Sequence, residues 1–213
     1  MDRFVYFDLG NVLVSFEHQQ AVQQLARCAG RPEELVRQVV FDSQLQSRYE
    51  TGLLSCQDFA AEINLGLGCD LPMAEILVAI SDIFAPNPSI EPVLHRIQRE
   101  GVRMGILSNT CLAHWRWIAA QRWSMLGDWF CSEVLSFEVQ CMKPDERIYQ
   151  VCEQQSGCHG SSIFFTDDRA ENIAAAAARG WTTHHFQSAE GLLQRLDHWL
   201  DKAGSSPPVS MDS

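Results

Sequence analysis

Positive charge is scarce in this sequence, which has 16 lysines and arginines against 27 aspartates and glutamates and a formal net charge of −11. Nucleic acids and anionic membranes bind to positively charged protein surfaces, so neither is an expected partner. Long apolar runs are also absent, since none approaches the roughly 18 residues of a membrane-spanning helix. The N-terminus passes from charged residues 2 and 3 directly into an apolar segment, without a signal-peptide pattern. The sequence therefore predicts a cytoplasmic protein.

Paired cysteine motifs are missing as well. The eight cysteines form no CxxC pair and no regular framework, so the sequence predicts neither a zinc site nor a disulfide scaffold. We expect most of them to be buried or half-buried free thiols. The 213 residues, 46% of them hydrophobic, suffice for one globular unit with a sizeable core and a small added domain.

The first apolar segment runs from Phe4 to Val14 and contains one carboxylate, Asp8, followed by a Gly-Asn turn. A buried strand so close to the N-terminus is expected in the middle of a sheet, with Asp8 at its carboxyl end. In open α/β folds, ligands bind at that edge of the sheet. The alternative is that Asp8 only caps the turn that follows it.

Residues 15–87 carry a helical pattern instead. Apolar residues recur there at helical spacing in segments bounded by glycine and proline, and Ser55 followed by Asp58 predicts a capping box. This pattern indicates a compact insert of about four helices. The Ala-Pro-Asn-Pro stretch at 85–88 predicts a hinge or linker at its end.

From Ile90 onward, predicted strands alternate with helices. These strands cover residues 102–107, 133–135, 162–166 and 181–186. Such alternation is typical of a parallel sheet with helices on both faces. We expect a Rossmann-like α/β core formed by 1–14 and 88–203, with 15–87 as a small helical cap inserted after the first strand. A disordered tail is predicted at 204–213.

Polar residues follow four of the predicted strands. They are Asp8, the pair Ser108 and Asn109, Lys143 beyond the third strand, and the pair Asp167 and Asp168. Because the strands are parallel, these ends share one edge of the sheet and their side chains can converge. Taken singly, each has a plainer explanation, such as a helix cap, a surface lysine or an exposed acidic turn. Their occurrence together, in this order, indicates a site.

This set of residues fits phosphoryl transfer through a carboxylate. Two close carboxylates repel unless a cation separates them, and oxygen ligands favour Mg²⁺. With Mg²⁺ between Asp8 and Asp168, the second oxygen of Asp8 would be free to attack phosphorus. Ser108 and Lys143 would then hold the phosphoryl oxygens, where negative charge collects in the transition state.

Four stretches of the sequence also carry a family resemblance. They read FDLGNV at 7–12, LSNT at 107–110, KPDERIY at 143–149 and TDDRAENI at 166–173. In this order they resemble motifs I to IV of the haloacid dehalogenase-like (HAD) hydrolase superfamily. Within it, the chain resembles the phosphatases with a small helical cap that act on sugar phosphates and begin FDLGNV. The resemblance covers residues 3–200.

The resemblance implies roles for the residues at the phosphoryl group. Asp8 would be the nucleophile that forms an aspartyl-phosphate, with Ser108 and Lys143 as its catalytic partners. Asn11 and Asn109 would contact the substrate.

It also implies a metal site. Mg²⁺ would be bound by Asp8, Asp168 and the backbone carbonyl of Gly10, which would also contact the substrate. Asp167 would act on this metal site indirectly, through the residues that bind the metal, and Asn172 would steady the acidic loop.

One departure from the family pattern concerns proton transfer. Most phosphatases of the superfamily have an Asp two residues after the nucleophile, which protonates the leaving oxygen and later activates water; here that position is Gly10. A general acid contributes about 10²–10⁴ in rate. The FDLGNV branch shares this Gly, so we expect slower turnover rather than none. Substrates whose leaving group needs little protonation should be preferred, such as sugar 1-phosphates, acyl phosphates or aryl phosphates. Glu17 or His18 could supply the proton instead, although starting the cap is the simpler role for both.

A second departure is Gln140. In the loop before Lys143, the family pattern S-x-E-x-G has Gly at that position. If the position needs a positive φ, Gln costs about 1 kcal/mol and could shift Lys143. In the cap, Arg48, Tyr49 and Glu50 are candidates for contact with substrate, and a structural role explains them equally well.

The sequence therefore predicts a Mg²⁺-dependent phosphatase of a small phosphorylated metabolite, such as a sugar phosphate, acting as a monomer or homodimer. One alternative is a 2-haloacid dehalogenase, which uses the same first carboxylate to attack carbon without a metal; the pair Asp167 and Asp168 disfavours it. Another is a receiver-type signalling module, whose acidic pair would lie near the first strand. A third is a catalytically impaired relative that binds a phosphorylated ligand, which Gly10 and Gln140 keep open.

Overall fold

A sheet of five parallel strands forms the centre of the molecule. The structure, a computed structural model, describes residues 2–204, with side chains as far as residue 201. In chain order the strands are β1 (Phe4–Phe7), β2 (Val14–Phe16), β3 (Phe84–Pro86), β4 (Arg103–Ser108), β5 (Phe130–Leu135), β6 (Ile163–Asp167) and β7 (Thr182–His185). The central sheet has the order β5-β4-β1-β6-β7, while β2 and β3 form a separate antiparallel pair. The predicted α/β fold with a parallel sheet is confirmed.

Helices lie between and around these strands. They are α1 (His18–Ala29), α2 (Glu33–Arg37), α3 (Leu45–Glu50), α4 (Cys56–Leu67), α5 (Met73–Ser81), α6 (Glu91–Arg99), α7 (Leu112–Ala120), α8 (Ser136–Val139), α9 (Glu146–Ser156), α10 (Ala170–Ala178) and α11 (Ala189–Gly204). A π-helical segment (Gln38–Asp42) follows α2, and 3-10 turns lie at Pro88–Ile90, Ser124–Leu126 and Gly160–Ser162.

The central strand β1 explains why both faces of the sheet are covered. Its four side chains are fully buried, and successive side chains of a strand point to opposite faces. Val5 and Phe7 belong to a hydrophobic cluster with residues of α6 and α11. Phe4 and Tyr6 belong to a different cluster, with residues of α9 and α10. An apolar run without polar alternation therefore identifies a strand buried on both sides.

The strand register brings the candidate residues to one edge. Phe7, the last residue of β1, pairs with Ile106 of β4 and with Thr166 of β6. Since the strands are parallel, the residues that follow β1, β4 and β6 emerge side by side at the carboxyl edge of the sheet.

The helical insert between β1 and α6 has its own core. It contains α1–α5 and the π segment, where the sequence predicts about four helices. Val22, Tyr49, Phe59 and Ile80 are among the residues of its hydrophobic cluster. The predicted capping box is present at the start of α4, where the Ser55 side chain accepts from the Asp58 N–H. This cluster also includes Cys111 and Ala113 at the start of α7, and the cap domain with its boundaries remains a prediction.

The chain enters and leaves the insert through a ribbon that the sequence does not predict. β2 pairs with β3 in antiparallel register, with Val14 opposite Pro86 and Phe16 opposite Phe84. The prediction of helix from residue 15 is wrong for this segment, while the hinge or linker at 85–88 stays a prediction. Three-residue strands are too short to show alternation, and their pairing joins residues about seventy positions apart, which no local pattern can indicate.

The disordered tail predicted for 204–213 lies outside the described residues, apart from Gly204 at the end of α11. Within residues 2–204, no helix is both long and apolar enough to cross a membrane. All eight cysteines are free, and Cys28 and Cys131 are the exposed ones.

Candidate active site

Asp8 is the first residue after β1. Its backbone N–H donates to the carbonyl of Thr166 at 2.9 Å, which fixes it beside the end of β6. Its Oδ1 accepts from the N–H of Leu9 at 2.7 Å and from Lys143 Nζ at 2.8 Å. Its Oδ2 accepts no hydrogen bond from the described part of the chain. One carboxylate oxygen is therefore held, and the other is available to a ligand.

The ammonium group of Lys143 lies among three oxygens. Nζ donates to Asp8 Oδ1 at 2.8 Å, to Asp167 Oδ2 at 2.6 Å and to the carbonyl of Leu107 at 2.8 Å. Its side chain is 1% exposed. Burial by itself lowers the pKa of Lys143, but the charges of Asp8 and Asp167 outweigh it and raise the pKa above its ordinary value. Lys143 is thus a charged, inward-facing group.

Asp167 positions its neighbours. It is fully buried, and both of its oxygens accept from Asn172 Nδ2 at 3.0 Å. Oδ1 also accepts from the N–H of Arg169 at 2.8 Å, while Oδ2 accepts from Lys143. With its oxygens in use, Asp167 is placed to hold Lys143 against Asp8. Asn172 in turn holds the Asp167 carboxylate through these two hydrogen bonds.

The acidic residues fit a hard divalent cation. Asp8, Asp167 and Asp168 each offer one carboxylate oxygen, and these three atoms lie within 4.8 Å of one another. Burial and the charges of Asp167 and Asp168 together raise the pKa of Asp8 to about 7, although the charge of Lys143 opposes this. This negative surplus is what a cation with oxygen ligands would offset. Asn172 Oδ1 is buried without a hydrogen-bond partner in the described chain, which leaves an acceptor for a ligand of the cation.

Asn11 lies between Asp8 and the acidic loop. It has a positive φ of 55°, which Asn tolerates better than most residues. Its Nδ2 donates to Asp168 Oδ2 at 2.9 Å, so its amide orients that carboxylate.

Asn109 fixes the loop that carries Lys143. Its Nδ2 donates to the carbonyl of Lys143 at 2.9 Å, and its Oδ1 accepts from the N–H of Lys143 at 2.8 Å. Both ends of the Asn109 amide are thus bonded to the backbone of Lys143. Asn109, which the sequence predicts to contact the substrate, therefore positions Lys143. Ser108, at the end of β4, is buried and lines a cavity through which a substrate oxygen could reach its hydroxyl.

Gln140 has the strained backbone that the sequence raises as a concern. Its φ is 53° and its ψ 34°, in the left-handed region where Gly is favoured. Lys143 is nevertheless directed inward, as its three hydrogen bonds show. The strain is thus tolerated without displacing the lysine.

Two adjacent cavities open at this edge of the sheet. The larger has a volume of about 180 Å³ and is lined by Asp8, Asn11, Met142, Lys143, Asp168, Arg169 and Asn172. The smaller, about 40 Å³, is lined by Leu9, Phe84, Ser108, Thr110 and His114. Five residues line both: Gly10, Phe16, His18, Glu50 and Asn109.

Gly10 is the position where the family's acid is missing, and an aromatic ring occupies the space beside it. A Cβ at Gly10 would lie 2.6 Å from a ring carbon of Phe16. That ring packs between His18 and Phe84, at centroid distances of 5.0 and 5.7 Å. Of the two proton donors predicted nearby, Glu17 lines neither cavity and His18 lines both. Sequence reasoning misses Phe16 because its position depends on the ribbon.

The three candidates from α3 have different surroundings. Arg48 pairs with Glu62 at 2.7 Å, away from the cavities. Tyr49 is buried in the insert and stacks on Phe59 at a centroid distance of 4.3 Å. Glu50 alone of the three reaches both cavities.

Comparison with known proteins finds phosphatases and haloacid dehalogenases among the relatives of this chain. A family model for haloacid dehalogenase-like hydrolases matches residues 3–180. The phosphatase MT3486 of Mycobacterium tuberculosis is 27% identical, covering 94% of this chain and 97% of its own. The D-ribitol-5-phosphate phosphatase of Bacteroides thetaiotaomicron is 24% identical, covering 92% and 97%. An (S)-2-haloacid dehalogenase of Pseudomonas sp. (strain YL) is 30% identical but covers 65% of this chain and 59% of its own.

Among solved structures, the HAD family enzyme bt-2542 of Bacteroides thetaiotaomicron, in complex with magnesium and inorganic phosphate, has a similar fold. Its TM-score is 0.76 at 22% identity, and the match covers 88% of this chain and 96% of that one.

Proposed function

This chain belongs to the haloacid dehalogenase-like hydrolases, and we propose that within this family it is a Mg²⁺-dependent phosphatase acting on a small phosphate monoester through an aspartyl-phosphate. The observation that carries the proposal is the state of Asp8. One of its oxygens accepts from Lys143, the other accepts no hydrogen bond within residues 2–201, Asp8 lines the larger cavity, and two further carboxylates lie beside it. Two relatives that match nearly the full chain are phosphatases, which supports the same reading.

The chain's own residues account for the phosphoryl-transfer step. The free oxygen of Asp8 attacks phosphorus, and the bond from phosphorus to the leaving oxygen breaks. The ammonium of Lys143 offsets negative charge around Asp8. Together with the Ser108 hydroxyl, it stabilises the negative charge on the transferring phosphoryl group. Asp167 and Asn109 hold Lys143 in place by its ammonium and its backbone. Bound through Asp8, Asp168 and the Gly10 carbonyl, Mg²⁺ would supply a Lewis acid and offset the negative charge of the substrate.

The dehalogenase alternative fits this site less well. Its substrate is a carboxylate, which would approach Asp8 past Asp167 and Asp168 with no cation to separate the charges. Removing divalent ions with EDTA distinguishes the two: a phosphatase stops and recovers with Mg²⁺, whereas a dehalogenase continues. The predicted cytoplasmic location and oligomeric state stay predictions.

The decisive experiment compares the wild type with Asp8→Asn on p-nitrophenyl phosphate and on a panel of sugar phosphates with Mg²⁺. We expect Asp8→Asn to lower kcat by roughly 10⁴-fold or more, since the nucleophile is lost. The matched control is Asp70→Asn, the same change at an exposed carboxylate that lines neither cavity, and it should retain full activity. Equal turnover by wild type and Asp8→Asn would end the proposal and leave a ligand-binding protein.

A further inference from the structure

The proposed reaction lacks a proton donor at Gly10. An alkoxide leaving from phosphorus must be protonated, and a positioned acid typically contributes about 10²–10⁴ in rate. The carboxyl groups that line the two cavities are Asp8, Asp168 and Glu50. Asp8 is the proposed nucleophile and Asp168 a proposed metal ligand, so Glu50 is the carboxyl without a task.

Glu50 is built into the wall of the site. It is the last residue of α3, and its backbone carbonyl accepts from Ser136 Oγ at 2.6 Å. The same hydroxyl oxygen accepts from the N–H of Thr110 at 2.9 Å, so one serine joins the helical insert to the loop after β4. Gly52, two residues on, has a φ of 74°, and a Cβ there would lie 2.1 Å from the carbonyl oxygen of Phe137. Backbone contacts therefore fix where Glu50 enters the cavities.

The carboxyl group of Glu50 is half satisfied. Its Oε1 accepts from Nε2 of the buried Gln46 at 2.9 Å, while its Oε2 accepts no hydrogen bond within the described chain. No hydrogen bond joins it to Asp8, Gly10 or Asp168 there. Such a group has one anchored oxygen and one that can exchange a proton with a bound molecule.

The surroundings of Glu50 bring its titration close to pH 7. Burial raises the pKa of Glu50 to about 7, although the Gln46 hydrogen bond and the charge of Arg169 oppose this. Its titratable and charged neighbours are His18 and His114 at the smaller cavity, Asp8, Lys143, Asp168 and Arg169 at the larger, and the buried Cys111. A carboxyl that titrates close to the working pH can both give and take a proton.

His18 is the competing donor. Its ring packs against Phe16 and Phe41, each at a centroid distance of 5.0 Å. Burial lowers the pKa of His18 below its ordinary value, so the ring is neutral at pH 7 and a poor acid.

We propose that Glu50, supplied by the helical insert, is the general acid and base of this enzyme in place of the family's aspartate. This inference rests on the proposed function. In the first step the Asp8 oxygen bonds to phosphorus, the bond to the leaving oxygen breaks, and that oxygen takes the proton of Glu50. In the second step water attacks the phosphoryl group and gives its proton to the Glu50 carboxylate. The bond between Asp8 and phosphorus breaks, phosphate leaves, and both carboxyl groups return to their starting states.

The test is a leaving-group series. The wild type, Glu50→Gln and the control Glu17→Gln are assayed with Mg²⁺ on dinitrophenyl, p-nitrophenyl, phenyl and alkyl phosphates. The quantity compared is kcat/KM, which reports the steps up to release of the alcohol. We expect Glu50→Gln to keep the dinitrophenyl rate within about threefold and to lose roughly 10²–10⁴-fold on the alkyl ester. Glu17→Gln should match the wild type throughout.

A second readout separates a chemical role from a structural one. With dinitrophenyl phosphate, Glu50→Gln should release a burst of phenol equal to the enzyme concentration and then turn over slowly, because water attack on the aspartyl-phosphate has lost its base. A uniform loss over all esters, no loss on any, or the same selective loss in His18→Gln overturns the proposal. If Asp8→Asn abolishes turnover while Glu50→Gln behaves uniformly, only the role of Glu50 fails. If Asp8→Asn has no effect on turnover, both the phosphatase proposal and the proposed role of Glu50 fail.

Discussion

Replacing Lys143 by Met should destabilise the protein in a strongly pH-dependent way. The ammonium lies 2.8 Å from Asp8 Oδ1 and 2.6 Å from Asp167 Oδ2, with its side chain 1% exposed and that of Asp167 0% exposed. Met has a similar volume, so the loss is mainly of charge. Removing one partner of a buried ion pair costs roughly 3–5 kcal/mol. For a chain of this size that lowers Tm by about 10 °C.

The pH dependence follows from the two carboxylates left behind. Without Lys143, the pKa of Asp8 in the folded state, already raised by burial, rises further above its value in the unfolded chain, so the folded state binds more protons. The stability of the variant therefore falls as pH rises through the carboxyl range, and its deficit against the wild type is larger at pH 7.5 than at pH 5. In the wild type the raised pKa of Lys143 contributes stability that is fully present below the ordinary lysine pKa and is lost only as pH rises through the folded value.

The assay is urea unfolding of wild type, Lys143→Met and Lys143→Met with Asp167→Asn, in EDTA at both pH values. The double variant removes one stranded charge and should recover part of the loss at pH 7.5. A deficit below about 1 kcal/mol, or one that is equal at pH 5 and pH 7.5, would refute the electrostatic account of the buried lysine.

Two further results are expected. Gln140→Gly should raise the free energy of unfolding by about 1 kcal/mol, because the residue has a φ of 53°, whereas Gln140→Ala should not. Equal stability of the two variants in urea unfolding would show that the backbone is unstrained. Burial lowers the pKa of His114 to about 4, below its ordinary value of 6.5, so between these two pH values the unfolded state binds the proton and the folded state does not. The free energy of unfolding therefore falls by roughly 3 kcal/mol as the pH falls through this range. His114→Gln should flatten this part of the stability profile measured by urea unfolding, and an unchanged profile would contradict the assignment.

Local pattern was sufficient for much of the fold. β1 and β6 are apolar runs that end in carboxylates, and the carboxyl ends of parallel strands necessarily share an edge, so Asp8, Asp167 and Asp168 could be placed together from sequence. The positive φ of Gln140 could be anticipated as well, from the glycine that it replaces in the family pattern.

What the sequence could not provide depends on how the insert meets the sheet. Glu50 is one polar residue at the end of a helix, like Arg48, and tertiary contacts such as the bond from Ser136 to its carbonyl place it at the cavities. Asn109 has a motif position that suggests substrate contact, yet its amide is occupied by the backbone of Lys143. For both Glu50 and Asn109, hydrogen bonds between distant parts of the chain determine the role of the side chain, and residue type alone does not.

The close approach of Phe16 to Gly10 makes a carboxylic acid difficult to introduce at position 10. A substitution to Asp would drive its side chain into a ring that packs between His18 and Phe84, so we expect the variant to be less stable than the wild type. The ring would have to shrink first, and that step alone opens a void with no benefit. A carboxylate at position 10 therefore requires changes at positions 10 and 16 together.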